Sequence, residues 1–288
     1  MLIPATVPPH KRDLFHKNYA TITKDTGRLL LFVADQKMQS LNEAFFGADL
    51  PSGISDPEHI FKIAKGSEVG ALCVHLGLMS RYGELYPSIN YIPKLNGKTN
   101  LTPGDPFSHQ IWSVQDAVNV AQNAKLNLCG VGYTIYVGSE YEGKMLAEAA
   151  TIIKEAHAHG LVTILWMYPR GQKVKNPYDP NLIAGVAGLG AALGADFVKI
   201  TEPDTGPNDL VDAVYAAGNT KVLVAGGPAI DLDECVERIE LQLSKGTAGA
   251  VIGRNIFQHP LKEAIKIANR LAHTIYEYED TLTIDGSD

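Results

Sequence analysis

Residues 161–170 read Leu-Val-Thr-Ile-Leu-Trp-Met-Tyr-Pro-Arg, an almost unbroken apolar run that directly follows a helix-like pattern ending at Gly160. Over residues 142–160 the apolar positions recur at three- and four-residue spacing, which is typical of an amphipathic helix closed by glycine. A continuous apolar strand is buried on both faces, as in parallel sheets covered by helices. The segment therefore predicts one helix–strand step of an α/β fold.

Seven further apolar runs rich in Val, Ile and Leu have the same character. They cover residues 29–34, 71–75, 90–96, 128–133, 195–200, 222–225 and 250–253. Eight units in a chain of 288 residues average about 36 residues each, the usual size in a (β/α)8 barrel. We predict a single α/β (β/α)8 TIM barrel. The alternative is a doubly wound open sheet, but Ala34-Asp35-Gln36-Lys37 stands where its glycine-rich loop would be.

The predicted barrel domain spans residues 1–288 and carries extra segments. Residues 1–27 form an N-terminal helical extension that caps the barrel or makes a subunit contact. Residues 82–108 are rich in Gly, Pro and Asn, so part of this stretch is expected to be irregular. The acidic segment 277–288 is expected to be a frayed tail.

Composition limits the classes of partner. The chain has 25 basic and 32 acidic residues, a net charge of −7, which disfavours a broad surface for nucleic acid or anionic membranes. No apolar stretch reaches the roughly 20 residues that span a bilayer, and the start lacks the apolar core of a signal peptide, so we expect a cytoplasmic protein. The three cysteines, Cys73, Cys129 and Cys235, are far apart in apolar surroundings and are interpreted as buried free thiols.

Alternation along three strands directs polar side chains into the predicted barrel mouth. Trp166, Tyr168 and Arg170 share one parity, which places them on one strand face. They are interpreted as a ligand-facing set, with an aromatic core plug capped by an arginine as the alternative. Asp35 continues the parity of Leu31 and Val33 and should face the barrel axis as a hydrogen-bond anchor, a proton shuttle or a counter-ion.

Lys199 is the candidate nucleophile. It shares its strand face with Phe197, so it points into the barrel, where desolvation favours a neutral amine that can form a Schiff base with a ketone. The alternative is a lysine that only balances an inward carboxylate. Lys94 and Lys98 compete for this role, and Lys94 ranks second because Pro93 and Gly97 suggest a wetter, looser environment.

The last two units predict a phosphate site. Strand seven ends in Gly226-Gly227 and strand eight in Gly253-Arg254-Asn255 at a helix start. Loops after strands seven and eight form the usual phosphate site of this fold, through backbone N–H groups, the helix dipole and a nearby arginine. We expect no metal and no cofactor, since no His cluster with ligand spacing is present and His75 is as readily a core residue as a functional one.

Several motifs together resemble the archaeal-type class I fructose-bisphosphate aldolases. They are the segments 32–37, 94–100, 132–142, 165–171 and 195–200 with the two phosphate loops, and Trp166-Met-Tyr-Pro-Arg-Gly171 is the most specific of them. The resemblance covers residues 28–257 and implies a metal-free barrel, Lys199 as Schiff-base lysine, Tyr168 as proton-transferring group and Asp35 as the aspartate. It also implies a homo-oligomer, often a ring of five or a pair of rings.

The resemblance has two departures and leaves the substrate open. Many relatives have Asp-His at positions 35–36 and Ser-Gly-Gly at 225–227, where this chain has Asp-Gln and Ala-Gly-Gly. The implied reaction is reversible cleavage of fructose 1,6-bisphosphate, with the phosphate near C1 at Gly226, Gly227, Gly253 and Arg254, the distal phosphate at Arg170, and Trp166 beside the sugar. The alternatives are a related Schiff-base aldolase of the aminodideoxyheptulosonate synthase type, a non-covalent isomerase, or a phosphosugar-binding barrel.

Overall fold

A computed structural model describes residues 1–41, 43–47 and 50–279 of the chain. Its main sheet contains nine parallel strands, of which one is the two-residue segment Asn127–Leu128 and the other eight each lie near a predicted apolar run. These eight are β1 Leu29–Val33, β2 Ala71–Cys73, β3 Asn90–Tyr91, β4 Gly130–Val137, β5 Val162–Pro169, β6 Phe197–Ile200, β7 Lys221–Ala225 and β8 Gly249–Ile252.

The sheet closes into a barrel. β8 pairs with β1, and every following strand pairs with the next as far as β3. The two-residue segment Asn127–Leu128 pairs with β3 and continues past Cys129 into β4, which pairs with β5, and the order then runs through β6 and β7 back to β8. The predicted (β/α)8 barrel is therefore confirmed, and the open-sheet alternative is not needed.

Helices cover the outside of the barrel. They are α1 Arg12–Thr23, α2 Gln36–Gln39, α3 Glu58–Gly66, α4 Leu76–Tyr82, α5 Val114–Ala124, α6 Glu142–Ala158, α7 Pro180–Leu193, α8 Leu210–Ala217, α9 Leu232–Ser244, α10 Arg254–Phe257 and α11 Leu261–Tyr276, with 3-10 turns at Pro9–Lys11, Ser52–Ser55, Gly83–Leu85 and Pro207–Asp209. No helix of the described ranges is long and apolar enough to cross a membrane. Most of the predicted frayed tail, residues 280–288, lies outside the described residues.

The predicted strand over residues 90–96 is shorter in the structure. Only Asn90 and Tyr91 pair as a strand, and Asn96–Gly97 instead forms a small antiparallel ladder with His109–Gln110. Pro93 cannot donate to a ladder. The Asn96 side chain then takes the place of main-chain pairing, since it donates to the carbonyl of Thr134 at 2.8 Å and accepts the N–H of Thr134 at 2.8 Å.

Strand alternation separates two apolar layers. Leu31 and Val33 belong to the cluster inside the barrel, whereas Leu30 and Phe32 belong to the cluster between strands and helices. Phe197 and Trp166 are also in the inner cluster, as their predicted parity requires. The three cysteines are free and buried, as predicted.

The N-terminal extension seals the amino end of the barrel. Phe15, Tyr19 and Ile22 of α1 belong to the inner cluster, and the ring of Tyr19 stacks on Phe197 with a centroid distance of 5.3 Å. Asn18 donates to the carbonyl of Gly160 at 2.8 Å. Helix α1 therefore caps the amino end of the barrel, as one of the two alternatives expects.

The seal predicts a stability effect at Phe15, which is fully buried. Truncation to Ala removes a core aromatic and should lower the free energy of unfolding by about 3–5 kcal/mol, measured by urea denaturation. The matched change Leu14→Ala on the exposed side of the same helix should cost less than about 1 kcal/mol. Equal losses from the two variants would contradict a sealing role for α1.

Candidate active site

A cleft of about 350 Å³ opens at the carboxyl ends of the strands. Its wall contains every residue that the sequence singled out as a site residue. These are Asp35, Trp166, Tyr168, Arg170, Lys199, Gly226, Gly227, Gly253 and Arg254. Residues from five different strands or their following loops thus converge at one barrel mouth, which is where working sites of this fold lie.

Lys199 is held deep in this cleft by β6. It is 6% exposed, pairs in register with Trp166 of β5, and follows the inward-facing Phe197. Its Nζ lies 5.5 Å from the centroid of the Trp166 ring and 5.6 Å from that of Tyr168. Burial is the largest cause that lowers the pKa of Lys199, and the charges of Arg170 and Arg254 lower it further, against the opposing charge of Asp35, so the neutral amine is accessible nearer neutral pH.

Lys94 is a second buried lysine in the same cleft. Its Nζ forms an ion pair with Oδ2 of Asp35 at 3.0 Å and lies 4.0 Å from the centroid of the Trp166 ring. It is 3% exposed, so the expected wetter environment after Pro93 is wrong. The segment is instead held in the barrel wall, because the backbone of Lys94 forms parallel β-bridges with His75 on one side and Gly132 on the other.

Asp35 is therefore the counter-ion of Lys94. Burial alone would raise the pKa of its carboxyl, but the charges of Lys94 and Lys199 and the hydrogen bond from Lys94 outweigh burial and lower that pKa to about 2. A carboxylate with so low a pKa is a weak base near neutral pH. Of the roles that the sequence left open, hydrogen-bond anchor and counter-ion fit this environment better than proton shuttle.

Tyr168 stands beside this ion pair as a phenol. Burial raises its pKa, and the negative charge of Asp35 raises it further. Its ring stacks against Tyr136 of β4 with a centroid distance of 6.2 Å. In the free protein this side chain is a proton donor.

Trp166 forms the floor on which the two lysines rest. It is 1% exposed, and Gly132 of the neighbouring strand makes room for it. A Cβ added at Gly132 would lie 2.6 Å from Cζ3 and 2.9 Å from Cη2 of the indole. Gly132 is therefore part of the site, a role that its sequence position alone does not reveal.

The loops after β7 and β8 form one cradle. Asn255, 4% exposed, donates to the carbonyls of Gly226 at 3.1 Å and Pro228 at 2.9 Å, which fixes the β7 loop against α10. Arg254 donates to the carbonyl of Gly227 at 2.9 Å, and Gly227 has a φ of +64°, which favours glycine. The cradle therefore places a guanidinium beside backbone N–H groups.

The glycines of this cradle are not equivalent. The N–H of Gly226 donates to the carbonyl of Val251 at 3.0 Å and so belongs to the sheet. Within the described part of the chain, the N–H groups of Gly227 and Gly253 have no backbone acceptor. These two donors are the ones left for an anion, and Gly226 contributes the close approach of its backbone.

A second cationic region lies at the end of β5. Arg170 is exposed, with its Cζ 5.3 Å from the centroid of the Tyr168 ring. Burial and the charge of Arg170 both lower the pKa of Lys98, which places these two cations near each other. β5 and β8 are three positions apart on the eight-stranded ring, so this region and the Arg254 cradle are on different sides of the mouth.

Three buried polar atoms of the described cleft residues lack a hydrogen-bond partner in the protein, and two of them belong to residues that were not predicted as site residues. Among the described residues the buried unpartnered side-chain atoms include Gln36 Oε1, Trp166 Nε1 and Thr201 Oγ1, all from cleft-lining residues. Each such atom costs about 1–3 kcal/mol in a folded protein. Both donors and acceptors are among them, which fits a ligand that carries several hydroxyl groups.

His75 is a buried neighbour of Lys94 and Asp35. It is 7% exposed, its Nε2 is 3.2 Å from the carbonyl of Asn96, and burial and the charge of Lys94 lower its pKa to about 4. It is therefore neutral near pH 7 and packs beside Lys94. Within the described residues, no group of three His, Cys, Asp or Glu side chains is close enough to hold a metal ion.

Comparisons with known proteins agree with this geometry. Residues 29–259 match the family described as DeoC/LacD family aldolase. The chain is 45% identical over 273 residues to a protein of Methanocaldococcus jannaschii named fructose-bisphosphate aldolase/6-deoxy-5-ketofructose 1-phosphate synthase, and the match covers 93% of this chain and 88% of that protein.

Two solved structures are similar to this one. A fructose-bisphosphate aldolase from Slackia heliotrinireducens has a TM-score of 0.93 at 39% identity, covering 97% of this chain and 91% of that one. An archaeal fructose-1,6-bisphosphate aldolase, whose catalytic Lys is covalently bound to the carbinolamine intermediate of the substrate, has a TM-score of 0.81 at 32% identity. That match covers 91% of this chain and 99% of the archaeal chain.

The contact between Gly132 and Trp166 predicts a local effect. The change Gly132→Ala should displace the indole, because Cβ contacts below about 3 Å are not tolerated, and should destabilise by about 1–3 kcal/mol. Near-UV circular dichroism in a Trp112→Phe background reports on Trp166 alone, since the chain has two tryptophans. Gly143→Ala, at a position with no neighbouring atom within 4 Å, is the control. An unchanged Trp166 signal in the Gly132 variant would rule out the proposed crowding.

Proposed function

Because the chain belongs to the DeoC/LacD family of aldolases, we propose that it cleaves fructose 1,6-bisphosphate reversibly through a Schiff base on Lys199. The products are dihydroxyacetone phosphate and glyceraldehyde 3-phosphate. The observation that carries the proposal is a buried lysine between Trp166 and Tyr168 in the cleft that holds the phosphate cradle. The names of the relative and of the two solved structures reported above each include fructose-bisphosphate or fructose-1,6-bisphosphate aldolase, which supports the substrate.

The first step forms the imine. The neutral amine of Lys199 attacks the C2 carbonyl of the ketose, and the carbinolamine takes up a proton from solvent on its hydroxyl and loses water to give a cationic iminium. Burial favours this sequence, because it makes the neutral amine accessible before attack. The carboxylate of Asp35 then stabilises the positive iminium at the same place by its charge.

The second step breaks the C3–C4 bond. Tyr168 takes the proton of the C4 hydroxyl, the aldehyde leaves, and the bonding electrons reduce the iminium to an enamine. The raised pKa keeps Tyr168 protonated in the free protein, but the cationic iminium, formed at a nitrogen 5.6 Å from the ring, favours release of that proton and so yields the phenolate that accepts the C4 hydroxyl proton. In the cleavage direction, protonation of the enamine at C3 and hydrolysis of the resulting iminium complete the cycle. In the condensation direction the phenol donates the same proton to the new C4 oxygen.

The two cationic regions suit the two ends of the substrate. The N–H groups of Gly227 and Gly253, with Arg254 and the adjoining backbone of Gly226, would hold the phosphate near C1. Arg170 would contact the distal phosphate, and Trp166 would line the sugar chain between them. Because β5 and β8 lie on different sides of the mouth, an extended bisphosphate can reach both.

A second candidate reaction uses the same lysine with another aldehyde. The Methanocaldococcus jannaschii relative is also named 6-deoxy-5-ketofructose 1-phosphate synthase, whose product name contains a single phosphate. The observation that favours such an activity here is that the two cationic ends of the cleft differ. Arg254 is hydrogen-bonded to the carbonyl of Gly227, whereas Arg170 is exposed, so one end is the better-defined phosphate site. A related aldolase of the aminodideoxyheptulosonate synthase type, a homo-oligomeric ring and a cytoplasmic location stay predictions.

Reduction of the imine tests the nucleophile. Borohydride added in the presence of dihydroxyacetone phosphate should inactivate the protein permanently, and peptide mass mapping should place the adduct on Lys199. An adduct on Lys94, or inactivation without any adduct, would overturn the assignment. Complete insensitivity to borohydride would instead favour a non-covalent isomerase or a binding barrel.

Removal of the phenol tests the proton transfer. Tyr168→Phe should still be trapped by borohydride on Lys199 but should cleave fructose 1,6-bisphosphate about 10²- to 10⁴-fold more slowly, the usual contribution of acid–base catalysis. Tyr136→Phe, which alters the stacked neighbour of Tyr168, serves as the matched control and should lose far less. Unchanged turnover in the Tyr168 variant would exclude its role.

A further inference from the structure

Lys94 is a buried charge of the cleft to which the proposed reaction gives no task. Its ammonium contacts the Asp35 carboxylate at 3.0 Å, lies over the Trp166 ring at 4.0 Å and lines the same cleft as Lys199. Both lysines thus lie near the same indole ring, and the one carboxylate pairs with Lys94. The partner of Asp35 among the described residues is Lys94, and the Lys199 amine has no ion pair there.

We propose that Lys94 is a positioning residue that neutralises Asp35 and so leaves Lys199 in its neutral, nucleophilic form; this inference rests on the proposed function. Desolvation disfavours an unpaired ammonium at Lys199, whereas a free carboxylate at Asp35 would supply the missing counter-charge. With Lys94 in place, that carboxylate is already compensated. Lys94 therefore acts on the reaction through Asp35 and does not itself touch the reacting atoms.

The charge environment of Lys199 shows why this pair matters. The titratable or charged groups that face its amine are Asp35, Cys73, Tyr168, Arg170 and Arg254, and Lys94 and His75 face Asp35. Asp35 is the anion of this set, because burial raises the pKa of the Cys73 thiol and that of Tyr168, and both stay neutral. The ammonium form of Lys199 consequently depends on how much of the Asp35 charge Lys94 compensates.

The same pair also has a structural alternative. Buried ion pairs are often replaceable by apolar side chains without loss of stability, so a pair that only held the barrel together could be removed without moving any titration. The readout that separates the two roles is the pH dependence of imine formation. It reports on the protonation of Lys199 and does not depend on the later carbon–carbon step.

The test compares Lys94→Met with Lys94→Arg in the otherwise intact protein. The rate of cyanoborohydride trapping with dihydroxyacetone phosphate is measured across pH for the wild type and both variants. In Lys94→Met the uncompensated carboxylate favours the Lys199 ammonium, so the midpoint should move to higher pH by about one to three units. Lys94→Arg keeps the positive charge and should keep the wild-type midpoint.

Two further variants keep the inference falsifiable if the Met variant is destabilised. Asp35→Asn/Lys94→Met removes both charges and should bring the midpoint back toward that of the wild type. Lys62→Met, on the solvent-facing side of helix α3 where Lys62 pairs with Glu58, is the matched control and should leave the midpoint unchanged. Thermal melts of all variants report on folding separately.

The outcomes distinguish the inference from the function on which it rests. Wild-type protein that shows no trapping on Lys199 would refute the proposed function itself. Wild-type protein that traps normally, with an unmoved midpoint in a folded Lys94→Met variant, would refute only the role of Lys94. A midpoint that moves to lower pH in that variant would refute it as well, since it would mean that Asp35 does not act on Lys199.

Discussion

The ion pair between Asp35 and Lys94, buried at the mouth of a closed barrel, is the interaction on which the site depends. An isolated charge is costly to bury, so two lysines and one carboxylate can share this space only if their charges are balanced. The ammonium of Lys94, in the segment after β3, neutralises the carboxylate of Asp35, which follows β1. Lys199 of β6 is then left without a salt bridge among the described residues. A basic group with a lowered pKa is the result.

The apolar interior below this layer makes the arrangement possible. Val33, Phe197 and Trp166 fill the barrel directly beneath the polar groups, and α1 closes the far end with Phe15 and Ile22. Water therefore reaches the lysines from one side. Desolvation, the largest cause of the lowered pKa of Lys199, is a consequence of packing that begins at the opposite end of the barrel.

Much of this site followed from strand parity. The alternation in the strand that carries Trp166 and Tyr168, and in the one that carries Lys199, predicts inward side chains, and the structure places these residues in one cleft. Parity cannot choose between partners on different strands, however. The pairing of Asp35 with Lys94 depends on barrel closure, which sets the segment after Pro93 between His75 and Gly132. Local sequence suggested a wetter, looser environment for Lys94 because it contains no information about those distant neighbours.

In the phosphate loops, too, the sequence alone does not predict which glycine N–H is free, because that depends on the pairing of β7 with β8. Gly226 and Gly227 are adjacent and chemically identical, yet β7 places the N–H of one on Val251 and leaves the other, at a positive φ, beside Arg254. A phosphate held there is fixed by main chain on a rigid barrel and by an arginine that is itself tied to the loop. Arg170 lies across the mouth on an exposed side chain. In the proposed mode of binding the Schiff-base carbon would lie between these ends, so the ketose side of a substrate would be held by the main chain and the aldehyde side by exposed charge. Selectivity among aldehydes should therefore be weaker than selectivity for the phosphorylated ketone.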